Sequence, residues 1–235
     1  MTFKSYIDIL FFSFLILIGT YALFSFHNYM DVYEMGILVG SVFGFSWLGK
    51  FWPAFKKYFL FVFFLSLFGI YLYDGNLVNS DSSFILKYFL ASQSSIMWMS
   101  ALYPLALLIY WFYFFNQNIF YGKLASKFTW LATTMCMIGL MVRWFESYLI
   151  NIDVGHIPVS NLYEVFVLFC LITSLIYLYY EEKIKTMKMG AFVLIVINAA
   201  IAFLLWYTFS KEADQIQPLV PALQSYWMKI HVHAN

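Results

Sequence analysis

Two ionisable residues stand where ionisable residues are costly. The stretch Val142-Arg143-Trp144-Phe145-Glu146-Ser147-Tyr148 lies in the second half of a long apolar block, and a charge at membrane depth is a functional candidate by default. Arg143 and Glu146 are three residues apart and share a helix face. They read either as a pair that neutralises itself near the interface, or with Arg143 holding an anionic group of a ligand through its forked donors.

Directly after that block comes Gly155-His156-Ile157-Pro158-Val159-Ser160-Asn161-Leu162-Tyr163-Glu164, polar and punctuated by Gly and Pro, which leads into another apolar block. Asn161 followed three residues later by Glu164 is a capping-box pattern, and a carboxylate suits the positive end of a helix dipole. Both residues therefore read first as structural. His156 could bind a metal or titrate, but a single loop histidine has no second ligand at metal spacing beside it.

The last residues read Pro221-Ala222-Leu223-Gln224-Ser225-Tyr226-Trp227-Met228-Lys229-Ile230-His231-Val232-His233-Ala234-Asn235. They resemble the start of a further span that is cut off early. On a helix His231 and His233 would point to different sides, whereas on an extended segment they would share a face. Interfacial histidines beside the aromatic-belt residues Tyr226 and Trp227 are one reading. An apolar, aromatic face carrying an imidazole for haem iron is another. His27, Asp8 and Asn198 are weaker candidates, with no partner identifiable in sequence. There is no phosphate-binding glycine loop and no Cys-x-x-Cys-His attachment site, so the chain is not itself a c-type cytochrome.

These residues need elements to carry them, and the apolar blocks supply those. Spans are expected at 9–26, 35–49, 58–73, 96–115, 128–150, 162–180 and 189–209, several near the minimum of about 17 residues. The expected fold is an all-α integral membrane bundle of about seven transmembrane helices, with the start of an eighth truncated. Lys50, Trp52, Pro53, Lys56 and Lys57 separate the second span from the third as an interfacial connector; a single kinked feature there would invert the later topology. The segment 84–90 is too short to cross and reads as an interfacial helix on the outer surface. Gly36, Gly40 and Gly44 line one face of the second span, a helix-contact signal.

With the N-terminus inside, nine basic residues (Lys4, Lys50, Lys56, Lys57, Lys123, Lys127, Lys183, Lys185 and Lys188) fall on the inner side. Four (Lys87, Arg143, Lys211 and Lys229) fall towards the outside. That bias puts everything after residue 209 on the outer side. Composition agrees with a bilayer as solvent: of 235 residues, 63% are hydrophobic and only 11% charged, against roughly 25% charged in a soluble domain. A net charge of +1 with no basic block argues against a nucleic-acid partner. Cys136 and Cys170 lie inside apolar blocks and read as buried free thiols.

Three segments together resemble a known family: Arg143-Trp144-Phe145-Glu146-Ser147-Tyr148-Leu149, the 155–166 stretch from Gly155 through Glu164 to Phe166, and the 219–232 stretch with Trp227, Ile230 and His231. Tyr33-Glu34-Met35-Gly36 and Lys87-Tyr88-Phe89-Leu90-Ala91-Ser92-Gln93-Ser94 also fit. The pattern is similar to the CcsA/ResC type of System II cytochrome c biogenesis protein. The resemblance implies haem handling at the outer face of a bacterial cytoplasmic (inner) membrane, with covalent attachment of haem b, a transient substrate, to apocytochrome c at its Cys-x-x-Cys-His motif. It implies His231 as an axial haem ligand, gives His233 no counterpart, and makes Arg143, Glu146, Gly155, His156, Pro158, Asn161, Glu164 and Trp227 supporting residues. It also implies a ResB/CcsB-type membrane partner subunit.

On this reading residues 1–235 form a single transmembrane domain. Residues 1–127 are its four N-terminal spans, and 128–235 begin the haem-handling assembly region. The family's tryptophan-rich motif and second outer-face histidine would lie beyond Asn235, so the chain alone is expected to be inactive, as part of a holocytochrome c synthase. The alternatives are a transporter using Arg143, Glu146 and His156 as a polar path, or a scaffold that docks a partner on its glycine face.

Overall fold

Every helix start and stop in this chain must satisfy its own backbone groups, because lipid offers none in return. The computed structural model describes residues 6–27, 30, 32–151 and 154–218, and those residues are helical throughout apart from short connections. The helices are α1 (Tyr6–Phe26), α2 (Val32–Phe51), α3 (Pro53–Tyr73), α4 (Asn79–Ser82), α5 (Ser92–Asn116), α6 (Ile119–Ile150), α7 (Leu162–Ile184) and α8 (Gly190–Lys211), with a π-helical turn at Leu86–Leu90 between α4 and α5. Six of them are long and apolar enough to cross a membrane, and α2 contributes a shorter apolar stretch, Met35–Phe51. All seven expected spans are therefore present as helices.

The boundaries follow local chemistry. Pro53 opens α3, where its missing N–H costs nothing. The Asn118 side chain caps α6 by accepting from the Phe120 N–H at 2.9 Å. Helices α5, α7 and α8 each end on a left-handed residue: Gln117, Lys185 and Glu212. The start of α6 departs from expectation. The helix begins at Ile119 rather than 128, so Lys123 and Lys127 sit on it, not in a loop. At about 48 Å, a 32-residue helix exceeds a hydrocarbon core of roughly 30 Å, and its charged first turns can project beyond that core.

The chain divides into two compact units, 1–61 and 62–235. In the first, α1 packs against α2. An added Cβ at Gly19 would lie 2.6 Å from Val42, and one at Gly49 would lie 2.8 Å from the Phe11 ring. Lys56 and Asp8 form an ion pair, which gives Asp8 the partner its sequence did not reveal. Phe45 meets both Phe55 and Phe59, with ring centroids 6.0 and 5.4 Å apart. The chain thus folds back at Trp52, and α2 and α3 are separate elements rather than one kinked helix.

The expected contact face of α2 meets no other helix among the described residues. Among the described residues, a Cβ at Gly36, Gly40 or Gly44 would meet nothing within 4 Å. The reason is rotational: α2 turns the side bearing Val42 and Gly49 towards α1, and the glycine row lies elsewhere.

In the second unit α5 packs on α6 and α8, α6 on α7, and α7 on α8, closing a four-helix ring. Small and polar residues let the backbones approach. Among the described residues, α7 takes part in three polar clusters. At its middle, Tyr103 Oη donates to Ser174 Oγ at 2.8 Å, and Thr133 Oγ1 donates to the same oxygen at 3.1 Å. Near the end of α7, Glu181 accepts from Tyr110 at 2.6 Å and from Tyr177. Gly190 fits beneath those two rings, where a Cβ would come within 2.5 Å of both. Asn198 donates to the Leu194 carbonyl at 2.7 Å and to that of Tyr103 at 3.3 Å.

Candidate functional site

The third polar cluster lies at the other end of the ring, where α6 ends and α7 begins, and it gathers most of the residues singled out from sequence. Arg143 and Glu164, each 1% exposed, form its centre, with Arg143 Nε 2.8 Å from Glu164 Oε1. The guanidinium also faces the Tyr163 ring at 5.3 Å. Its two remaining nitrogens donate to the carbonyls of Asp214 at 2.7 Å and Gln215 at 3.4 Å. From α5, Gln93 Nε2 donates at 3.0 Å to both the carbonyl and a carboxylate oxygen of Asp214. One arginine thereby joins α6, α7 and the segment that follows α8.

The other carboxylate oxygen of Glu164 serves the loop. It accepts from the Ser160 N–H and from Ser160 Oγ, both at 2.9 Å. Asn161 does cap α7, its side-chain oxygen accepting from the Glu164 N–H at 2.8 Å. The capping box is only half closed, however, because Glu164 turns to Ser160 and Arg143. The shift has a physical cause: a buried guanidinium needs a carboxylate more than an N-cap N–H does.

His156 lies against the same group and is 8% exposed. Its Nδ1 is 2.6 Å from the Val154 carbonyl and its Nε2 is 2.5 Å from Ser160 Oγ. A carbonyl only accepts, so the ring nitrogen facing Val154 is the donor of that contact. Both ring nitrogens are thus engaged inside the protein, and metal binding would have to give one of them up. Among the described residues, no group of three or more His, Cys, Asp or Glu side chains could hold a metal ion. Gly155 has no room for a side chain, since a Cβ would fall 2.2 Å from the Tyr148 ring. Pro158 is buried in the loop.

Glu146 is not the partner of Arg143. It accepts from Tyr73 Oη at 2.5 Å, from the Ser92 N–H at 3.0 Å, and from Ser92 Oγ. Ser92 is the first residue of α5, so the Glu146 carboxylate sits at a helix N-terminus, where the dipole favours it. The expected local pair is therefore replaced by two sets of long-range contacts, each of which also satisfies a backbone N–H. Each of the three guanidinium nitrogens of Arg143 already donates to an acceptor within the protein, which accounts for three of its five N–H groups. His27 is exposed, with Nδ1 3.1 Å from the Phe24 carbonyl. Cys136 and Cys170 are free and buried. His231, Trp227, Tyr226 and His233 lie outside the described residues.

Sequence reasoning missed Tyr73, Ser92, Gln93, Asp214 and the Glu181 cluster. Apart from Tyr177 and Glu181, four residues apart on α7, these groups are joined across separations of 54 to 121 residues, which leave no periodic signal.

Comparison with known proteins agrees with the resemblance drawn from the motifs. Residues 159–234 match the family model described as Cytochrome C assembly protein. The chain is 36% identical over 127 residues to the cytochrome c biogenesis protein CcsA of Chlorella vulgaris, covering 51% of this chain and 37% of that protein. It is 36% identical over 134 residues to CcsA of Trieres chinensis, covering 54% and 39%, and 32% identical over 128 residues to CcsA of Porphyra purpurea, covering 54% and 38%. The matched stretch thus spans less than two-fifths of the length of these relatives. No solved structure gives a significant match.

Proposed function

We propose, from this similarity to CcsA-type proteins, that the chain acts in cytochrome c biogenesis, handling haem b at the outer face of a bacterial cytoplasmic (inner) membrane. The orientation adopted is N-terminus inside and residues after 209 outside, supported by the distribution of nine basic residues against four. The haem is a substrate, joined to the Cys-x-x-Cys-His motif of apocytochrome c. Each thiol adds across a haem vinyl group: a sulfur–carbon bond forms, and the thiol hydrogen goes to the neighbouring vinyl carbon, with no atom lost. The protein's part in such chemistry is orientation and control of iron. His231 is the proposed axial ligand, and a ResB/CcsB-type membrane subunit is the proposed partner.

The observation that carries the reading is the match of residues 159–234 to the assembly family, which contains both the loop residues around Glu164 and His231. The buried network supports it: Arg143, Glu164, Ser160 and His156 join the 155–160 loop to Asp214 and Gln215, on the segment that continues towards His231. A transport path is less favoured, because Arg143, Glu146 and His156 all have partners within the protein. In the full-length protein a haem Soret band is expected, weakened by His231→Ala. An unchanged spectrum in that variant would remove His231 from the mechanism.

A further inference from the structure

We infer that Arg143 is a positioning residue, which holds the segment after α8 by two backbone carbonyls and so sets where the chain leading to His231 begins. The inference rests on the haem-handling reading for its consequence, but the holding itself stands on geometry.

Helix α8 ends at Lys211, and Glu212 takes a left-handed conformation that turns the chain out of the helix. The Gln215 N–H closes the turn on the Glu212 carbonyl at 3.2 Å. The next carbonyls, those of Asp214 and Gln215, would be bare at this point. They are taken instead by Arg143, from a helix 71 and 72 residues earlier in sequence. Gln93 holds Asp214 from a third direction, by both its carbonyl and its side chain. Side chains from α5 and α6 thus fix one short stretch of main chain, and Glu164 from α7 orients the arginine that does most of it.

Arginine is the residue type this task needs. Three acceptors, Glu164 Oε1 and two carbonyls, are met by three different nitrogens of one planar fork. A lysine carries a single ammonium on a flexible stem and cannot span them in the same way. The ion pair with Glu164 alone would not demand a fork, but the two carbonyls do. His231 is sixteen residues beyond Gln215 in sequence, so the two held carbonyls lie on the stretch of chain that leads to it. Misplacing a reacting group by about 1 Å can cost on the order of 100-fold in rate.

The test uses the full-length protein in membranes, with Arg143→Lys and Gln93→Ala as separate variants. Lysine keeps the charge opposite Glu164, and Gln93→Ala leaves the arginine untouched, so neither depends on the other for folding. Each is combined with Ile216→Cys, and the rate of labelling by a membrane-impermeant maleimide is measured beside the Soret and spin-state bands of bound haem. The expected result is labelling about tenfold faster in both variants, together with a weakening of the haem band like that expected of His231→Ala; His231→Ala itself should leave labelling unchanged. Labelling equal to that of the parent in both variants would overturn the inference. Faster labelling with an unaltered haem spectrum would overturn it as well, since the segment would then be held without consequence for the ligand. Absence of a haem band in the parent protein would remove the functional reading instead, and labelling would still decide whether Arg143 holds the segment.

Discussion

Separating Arg143 from Glu164 should be the most damaging change in the described part of the molecule, and the size of the effect follows from burial. The two charges are 2.8 Å apart and each is 1% exposed. At an effective dielectric of about 20, Coulomb attraction at that distance amounts to about 6 kcal/mol before desolvation is counted. Removing one partner strands the other, which costs about 3–5 kcal/mol for a buried pair. Glu164→Gln keeps an oxygen for Ser160, so its cost comes mainly from the unpaired guanidinium. Arg143→Gln strands the carboxylate and also two carbonyls.

The double variant removes both charges together. Its destabilisation should fall short of the sum of the single ones, with a coupling of about 1–3 kcal/mol. Unfolding in mixed detergent micelles, followed by circular dichroism, gives the three free energies. Additivity within about 0.5 kcal/mol would refute the reasoning, because it would mean that the two residues do not meet.

Other outcomes are open to measurement. Glu146→Leu leaves Tyr73, the Ser92 N–H and the Ser92 hydroxyl without their acceptor and should cost about 2–5 kcal/mol. Glu146→Gln, which retains an acceptor, should cost clearly less by the same unfolding assay. Gly155→Ala drives a methyl group into the Tyr148 ring at about 1–3 kcal/mol, and adding Tyr148→Ala should recover much of that loss; no recovery would place the clash elsewhere. Cys136 and Cys170, both 0% exposed, should resist thiol reagents in the native protein and react after denaturation, as mass spectrometry of labelled protein would record.

What could be read in advance from sequence was what is written locally. The seven spans were legible because lipid demands an unbroken apolar block, and the α7 cap was legible because Asn161 meets the Glu164 N–H within one helical turn. Arg143 and Glu146 misled for the same reason. Their spacing suits a pair on an isolated helix, yet each found a better-placed partner on another element, 21 and 73 residues away. The glycine row of α2 shows the limit of a small-residue motif: it marks a face another backbone can approach, without saying that one does. Asp214 and Gln215 meet Arg143 through their carbonyls, a contribution no residue type can announce.

The three polar clusters in the ring also bear on how such a bundle finds its alignment. They sit at the start, middle and end of α7, through Glu164, Ser174 and Glu181. Between apolar helices in lipid, sliding by a turn exchanges one greasy contact for another at little cost. A one-turn slip of α7, about 5.4 Å, would instead break all three clusters together and strand charges in hydrocarbon. They work as indexing pins: the helices can be greasy and variable along most of their length, and still have only one register in which these three clusters are all answered.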